Sequence, residues 1–143
     1  MAELKIFNMS PQNTKNPSVS SLGDAGLDIY SPVDFSILPQ SNKLVHTNLK
    51  ICFNSNYYLQ LLSKSKLSTK GIIILGGVID SNYRGEIIVN IFNLGNTIFN
   101  FRKNDQICQA VLVKISEPLY TLVDKEEYLG TTERQDRGIL SSV

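Results

Sequence analysis

Along the chain, short runs of Ile, Val, Leu, Phe and Tyr alternate with clusters of Gly, Asn, Ser, Asp and Pro. The runs are "LKIF", "GLDIY", "VDFSIL", "KLVHTNLKICF", "YYLQLL", "GIIIL", "EIIVNIFNL", "TIFNF" and "QICQAVLVKI". Apolar runs of this kind, bounded by turn-forming residues, predict short β-strands joined by turns. No stretch keeps apolar residues at helical spacing for three turns behind a capping residue, so no long helix is expected. The pattern predicts an all-β sandwich or barrel.

Two regions break the alternation. Residues 10–23, "SPQNTKNPSVSSLG", are polar and contain two prolines, which predicts a surface loop. After Pro118 the chain turns polar again, and "DKEEYLGTTERQDRGILSSV" has too few apolar residues to offset its own ordering entropy. The expected organisation is a β-domain over residues 1–118 and a C-terminal arm over 119–143, either disordered or ordered on a partner.

Composition narrows the function classes. A length of 143 residues with 42% hydrophobic and 19% charged side chains fits one globular domain. Fourteen basic residues against thirteen acidic ones give a formal charge of +1, too little field to grip a nucleic-acid polymer or an anionic membrane. No window approaches the roughly 20 apolar residues of a membrane span, and "MAELKIFNMS" has no basic segment followed by an apolar one. An intracellular protein, cytoplasmic or nuclear, is expected. Cys52 and Cys108 have no close partner in sequence and read as reduced core thiols.

His46 is the sole histidine and lies in a presumed strand, where it reads as structural. Without a second histidine or a nucleophile near it, neither a Ser-His-Asp nor a Cys-His system is indicated, and no group of residues has metal-ligand spacing. Any catalytic base must be a carboxylate. Asp28 in "AGLDIYS" and Asp80 in "GGVIDSNYRG" stand at strand ends beside glycines, where an aspartate can either serve chemistry or bond turn amides. "SKSKLSTKG" sets Lys64, Lys66 and Lys70 among small hydroxyl residues, which suits a phosphate chain as well as it suits a solvated basic turn. Gln109 places an amide within an apolar strand, where it could bond a ligand.

In this order the clusters resemble the motifs of the trimeric dUTP diphosphatases, the dUTPases. "AGLDIYS" is similar to the family's A-G-Y-D-L-Y-S, and "GVIDSNYRG" to G-V-I-D-x-D-Y-R-G with Asn82 in the second acidic place. "SKSKLSTK" stands where the family has P-R-S-G-L-A-x-K, with Lys64 for the arginine and Lys66 for a glycine. "NDQICQAV" resembles G-D-R-I-A-Q-L and keeps Asp105, Ile107 and Gln109. The last motif, R-G-x-G-G-F-G-S-T-G, is met by "RQDRGILSSV". Arg134, Gly138 and Ser141 hold their places, Ile139 takes the aromatic one, and Leu140 and Val143 take glycines.

The resemblance implies a jelly-roll-like β-barrel assembled as a homotrimer, with active sites shared between subunits and a C-terminal arm. It implies hydrolysis of dUTP to dUMP and pyrophosphate with Mg²⁺ as cofactor. Asp80 would be the general base, Asp28 an outer-sphere acid reaching the metal through water, and Tyr83 the partner of the deoxyribose. Gly77, Val78 and Ile79 would read the uracil edge, with Ile139 in the place of the covering aromatic. Lys64, Ser65, Lys66, Gln109 and Arg134 would contact the phosphates. The departures in the second and fifth motifs leave open a weakly catalytic or inactive trimer that binds nucleotides or proteins. A deaminase relative of the same fold is a third reading.

Overall fold

The computed structural model describes residues 2–139 and is all-β. Its strands are β1 (Lys5–Asn8), β2 (Leu27–Tyr30), β3 (Phe35–Ile37), β4 (Ser41–His46), β5 (Leu49–Cys52), β6 (Tyr57–Leu62), β7 (Ile72–Leu75), β8 (Val78–Ile79), β9 (Ile88–Asn93), β10 (Phe99–Phe101) and β11 (Gln106–Lys114). One helical turn, α1 (Ser65–Ser68), follows β6, and a 3₁₀ turn spans Glu126–Leu129. The main sheet has the order β2-β11-β6-β8, a second has the order β4-β9-β7, and β1-β5 and β10-β3 form two short ladders. Every named pairing is antiparallel.

Isoleucine dominates the core. Ile29, Ile37, Ile72, Ile87, Ile91 and Ile107 are each at most 1% exposed, and such β-branched side chains pack well on pleated surfaces. In β9 the residues Val89, Ile91 and Asn93 are buried while those between them are partly open. That is the period of two expected of a strand with one face on the core. Asn93 is buried as a polar exception and is satisfied: its amide donates to the carbonyls of Ile37 and Thr97.

The run "KLVHTNLKICF" divides into β4 and β5 at Thr47 and Asn48. Thr47 is fully buried; its hydroxyl donates to Ile87 O at 2.6 Å and accepts from Leu49 N at 3.2 Å. Asn48 follows at φ 61, a left-handed conformation that Asn tolerates. The side-chain hydroxyl thus reinforces the backbone bond from Thr47 N to Ile87 O where the chain changes sheets. α1 escapes the hydrophobic pattern because it is one turn long and buries no residue. Residues 10–23 form the expected loop, but it is pinned: Thr14 is 4% exposed, and Ser18 bridges Asp28. Of the two thiols, Cys108 is fully buried and Cys52 only partly so, because Cys52 ends a strand of a two-stranded ladder. Burial, reinforced by the nearby Asp28 charge, pushes the Cys108 thiol up to about 12.

β11 carries the irregularity on which the site depends. Gln106 pairs with Tyr30, but Cys108 pairs with Ile29 and Gln109 with Asp28, so one extra residue bulges around Ile107. Residues three apart on a regular strand face opposite sides of the sheet. The bulge lets Gln106 and Gln109 both face the side that Asp28 occupies.

Gly77 connects β7 to β8 at φ +93, and a Cβ there would meet the carbonyl of Leu61 at 2.6 Å. Leu61 N also donates to Gly77 O at 2.7 Å, so this close approach ties β6 to the connection. Gly77→Ala is expected to destabilise the fold by about 1–3 kcal/mol, read as a lowered urea midpoint. An unchanged midpoint would mean that the connection relaxes freely.

Candidate active site

Asp28 lines a cleft of about 950 Å³ together with loop 15–26, β2, α1, the β10 region and β11. Its side chain is only 4% exposed, yet three donors meet its two oxygens. Lys64 Nζ reaches Oδ1 at 2.5 Å, Ser20 Oγ reaches Oδ2 at 2.6 Å and Gln106 Nε2 reaches Oδ2 at 3.0 Å. Burial alone would push this carboxyl up. The hydrogen bonds from Lys64 and Ser20 and the lysine charge outweigh burial and hold it below its ordinary 3.8.

The same cleft is lined by Ser65, Lys66, Lys70 and Gln109. The register of β11 sets Gln109 between Asp28 of β2 and Leu62 of β6, and its amide donates to Ser63 O at 3.1 Å. Four of the residues singled out for phosphate contact, Lys64, Ser65, Lys66 and Gln109, are therefore brought together with Asp28. The cleft has the volume of a nucleotide-sized site.

A second constellation is built by the turn after β8. Gly76 and Gly77 both have positive φ, which lets β8 fold back onto β6, pairing Leu59 with Ile79 and Gln60 with Val78. Tyr83 N donates to Asp80 O at 3.1 Å, and Tyr83 Oη donates to Glu86 O at 2.7 Å, clamping the turn. Gly85 leaves room for this placement of Tyr83, since a Cβ there would meet the tyrosine ring and hydroxyl and make them shift. Val78, Ile79, Asp80, Tyr83, Glu86 and Ile88 line a hollow of about 260 Å³. The Asp80 side chain is exposed and has no hydrogen-bond partner among the described residues. An unpartnered carboxylate at a hollow's mouth can accept a proton from water.

Asp80 thus lines a different hollow from the Asp28 cleft, and the hairpin hollow alone is smaller than a nucleotide needs. Arg134 and Ile139 line neither. Arg134 Nε donates to Arg137 O at 2.8 Å, and Ile139 is fully exposed. Leu140, Ser141 and Val143 lie outside the described residues. Every residue from 114 to 139 is exposed.

Sequence reasoning missed three participants. Gln106 was hidden because only the bulge turns it towards Asp28. Ser20 lies in a loop with no periodic signal. Glu86 follows the hairpin, and its Oε1 lies 2.7 Å from His46 Nδ1 while Oε2 accepts from Asn48 N at 2.9 Å. Burial pushes Glu86 up, but the bonds from His46 and Asn48 and the charges of His46 and Lys50 bring it below its ordinary value. His46, expected to be structural, contacts Glu86 and is otherwise open to solvent, its side chain being 66% exposed.

A dUTPase family model matches residues 12–143. The deoxyuridine 5'-triphosphate nucleotidohydrolase of Monkeypox virus is 35% identical over 136 residues, 95% of this chain and 88% of the viral protein. That of Fowlpox virus is 34% identical over 143 residues, 99% of this chain and 98% of its own length. The structure of Staphylococcus bacteriophage 80alpha dUTPase with dUPNHPP superposes with a TM-score of 0.87 at 25% identity, covering 99% of this chain and 98% of the phage protein. With a family match across nearly the whole length and both hollows lined by motif residues, the chain belongs to the dUTPase family.

Proposed function

We propose that the chain hydrolyses dUTP to dUMP and pyrophosphate, with Asp80 as general base. The observation that carries this reading is the exposed, unpartnered Asp80 carboxylate on a glycine-hinged turn, beside a tyrosine whose hydroxyl is tied to the same turn. Asp80 takes a proton from a water; the resulting hydroxide attacks the α-phosphorus, and the bond from that phosphorus to the bridging oxygen breaks, releasing pyrophosphate. Nothing in the geometry favours a non-catalytic module.

β8 is an edge strand of the main sheet. One side of Val78 and Ile79 pairs with β6, and the other leaves backbone donors and acceptors able to match the edge of a uracil. Tyr83, held through Glu86 O, offers its ring face to the sugar. Lys64, Ser65, Lys66 and Gln109 bind the phosphate chain in the cleft. Lys64 divides its charge between that chain and Asp28, and supplies no bidentate fork.

Among the described residues no group of three or more His, Cys, Asp or Glu side chains could hold a metal. Mg²⁺ suits such a chain, because it keeps several waters and binds through phosphates with one or two carboxylates. Asp28 fits an outer-sphere place: its two oxygens have about four lone-pair sites, three already hydrogen-bonded, leaving room for one water. When bound, the ion neutralises phosphate charge as it builds on the leaving group.

The separation of the two hollows supports a site shared between copies, the hairpin of one facing the cleft of another, as in the homotrimer that the family resemblance implies. Residues 1–118 form the β-domain, and the arm, residues 119–143, carries Arg134 and Ile139 onto a neighbouring site. Ordering such a polar arm costs entropy that bound nucleotide offsets.

Incubation with dUTP and Mg²⁺ is expected to yield dUMP and pyrophosphate, and Asp80→Asn to lower kcat by about 10²–10⁴ while analogue binding persists. Unreduced turnover in that variant would refute the assignment of the base. Because Asp28 titrates below 3.8 when folded, its stabilisation is complete above that pH and is lost as the pH falls through the lower folded value. Urea midpoints of wild type and Asp28→Asn are thus expected to differ at about pH 7 and to converge as the pH falls through the lowered folded value; parallel curves would count against the ion pair. Limited proteolysis is expected to cleave the arm more slowly with a non-hydrolysable dUTP analogue present, and equal cleavage would speak against arm closure.

A further inference from the structure

We propose that Lys15, on the loop before β2, is a further substrate-binding residue that contacts the polyphosphate of the bound nucleotide. The inference rests on the dUTP reading and adds a contact from outside the motif clusters. Lys15 lines the same cleft as Asp28, Lys64, Ser65 and Gln109, and its ammonium lies 4.1 Å from the centroid of the Tyr30 ring. Tyr30 is two residues along β2 from Asp28 and faces the same side.

The loop that carries Lys15 is held on both sides. Thr14, before it, is 4% exposed; its carbonyl accepts from Asn8 Nδ2 at 2.8 Å and its hydroxyl from Asn48 Nδ2 at 2.9 Å. Asn16, after it, accepts from the same Asn8 amide at 2.8 Å. Further on, Ser18 bridges Asp28 through the backbone and meets the Tyr30 hydroxyl at 2.8 Å. A cation mounted on so fixed a backbone, with its stem steered by an aromatic face, loses less freedom on binding than a surface lysine on a mobile loop.

Charge accounting in the cleft gives Lys15 its weight. Four lysines line it, Lys15, Lys64, Lys66 and Lys70, against Asp24, Asp28 and Asp105. Lys64 is engaged by Asp28, whereas Lys15, like Lys66 and Lys70, has no ion pair among the described residues. Removing Lys15 leaves three cations facing three anions. The cleft is thus one unit positive with Lys15 and neutral without it, and the Tyr30 ring beside its ammonium is a low-dielectric wall that keeps this charge from being fully screened.

The test compares wild type with Lys15→Met, Lys15→Arg and, as an equal loss of charge away from the cleft, Lys114→Met. Lys15→Met is expected to raise KM for dUTP roughly three- to tenfold, to leave kcat within about twofold and to flatten the salt dependence of binding. Titration with the non-hydrolysable analogue is expected to weaken by the same factor, while dUMP affinity stays level. Lys15→Arg should restore KM, and Lys114→Met should not raise it. Equal KM in wild type and Lys15→Met, or an equal loss for dUMP and the triphosphate, would overturn the proposal alone. A wild-type chain that neither binds nor hydrolyses dUTP would overturn the underlying reading and this one with it.

Discussion

A carboxylate taken out of water must be met by donors, and Asp28 draws them from three parts of the chain that share no local pattern: Ser20 in a loop, Lys64 ahead of α1 and Gln106 on β11. Losing any of them would expose the cost of a buried charge. Much of the cleft follows from meeting this demand. The loop must lie against β2 so that Ser20 arrives, and the chain must leave β6 at an angle that lets Lys64 turn back. β11 must also bulge for Gln106 to face inwards. The same three conditions place Lys15, Ser65 and Gln109 around one space.

The hairpin obeys a different constraint. If Asp80 is the base proposed above, it must stay unsatisfied, and local rigidity here comes from glycines and from the Tyr83 clamp rather than from bonds to the carboxylate itself. Glu86 extends the clamp sideways to His46 and Asn48 on the neighbouring strand system. A rigid frame around a free acid is the arrangement that general-base chemistry requires. The cleft is the reverse case, a satisfied acid surrounded by cations. Within one protomer the two acids line separate hollows.

Much of this was legible in the residues. Nine apolar runs marked the strands, since alternation and turn-formers are local signals, and the motifs located Asp28, Asp80, Lys64 and Gln109. What escaped was non-local. The break at Thr47 is held by its amide and hydroxyl both donating to Ile87 O, forty positions away. Gln106 needed the bulge, whose existence depends on how β11 pairs with β2. β8 is two residues long and sits beside glycines, below the length at which periodicity means anything. The division of the site into two hollows follows from packing alone, and no spacing along the chain could have announced it.

The brevity of β8 has one more consequence. A strand at a sheet's margin with unused amides and carbonyls is ordinarily where foreign chains zip on and seed fibrils. Here the open margin extends over only Val78 and Ile79, and a bend dominated by glycine closes it on one side and Asp80 on the other. Two residues suffice for the heterocycle contact proposed above and are too few to template another polypeptide, so this margin can leave raw backbone in solvent without seeding a fibril.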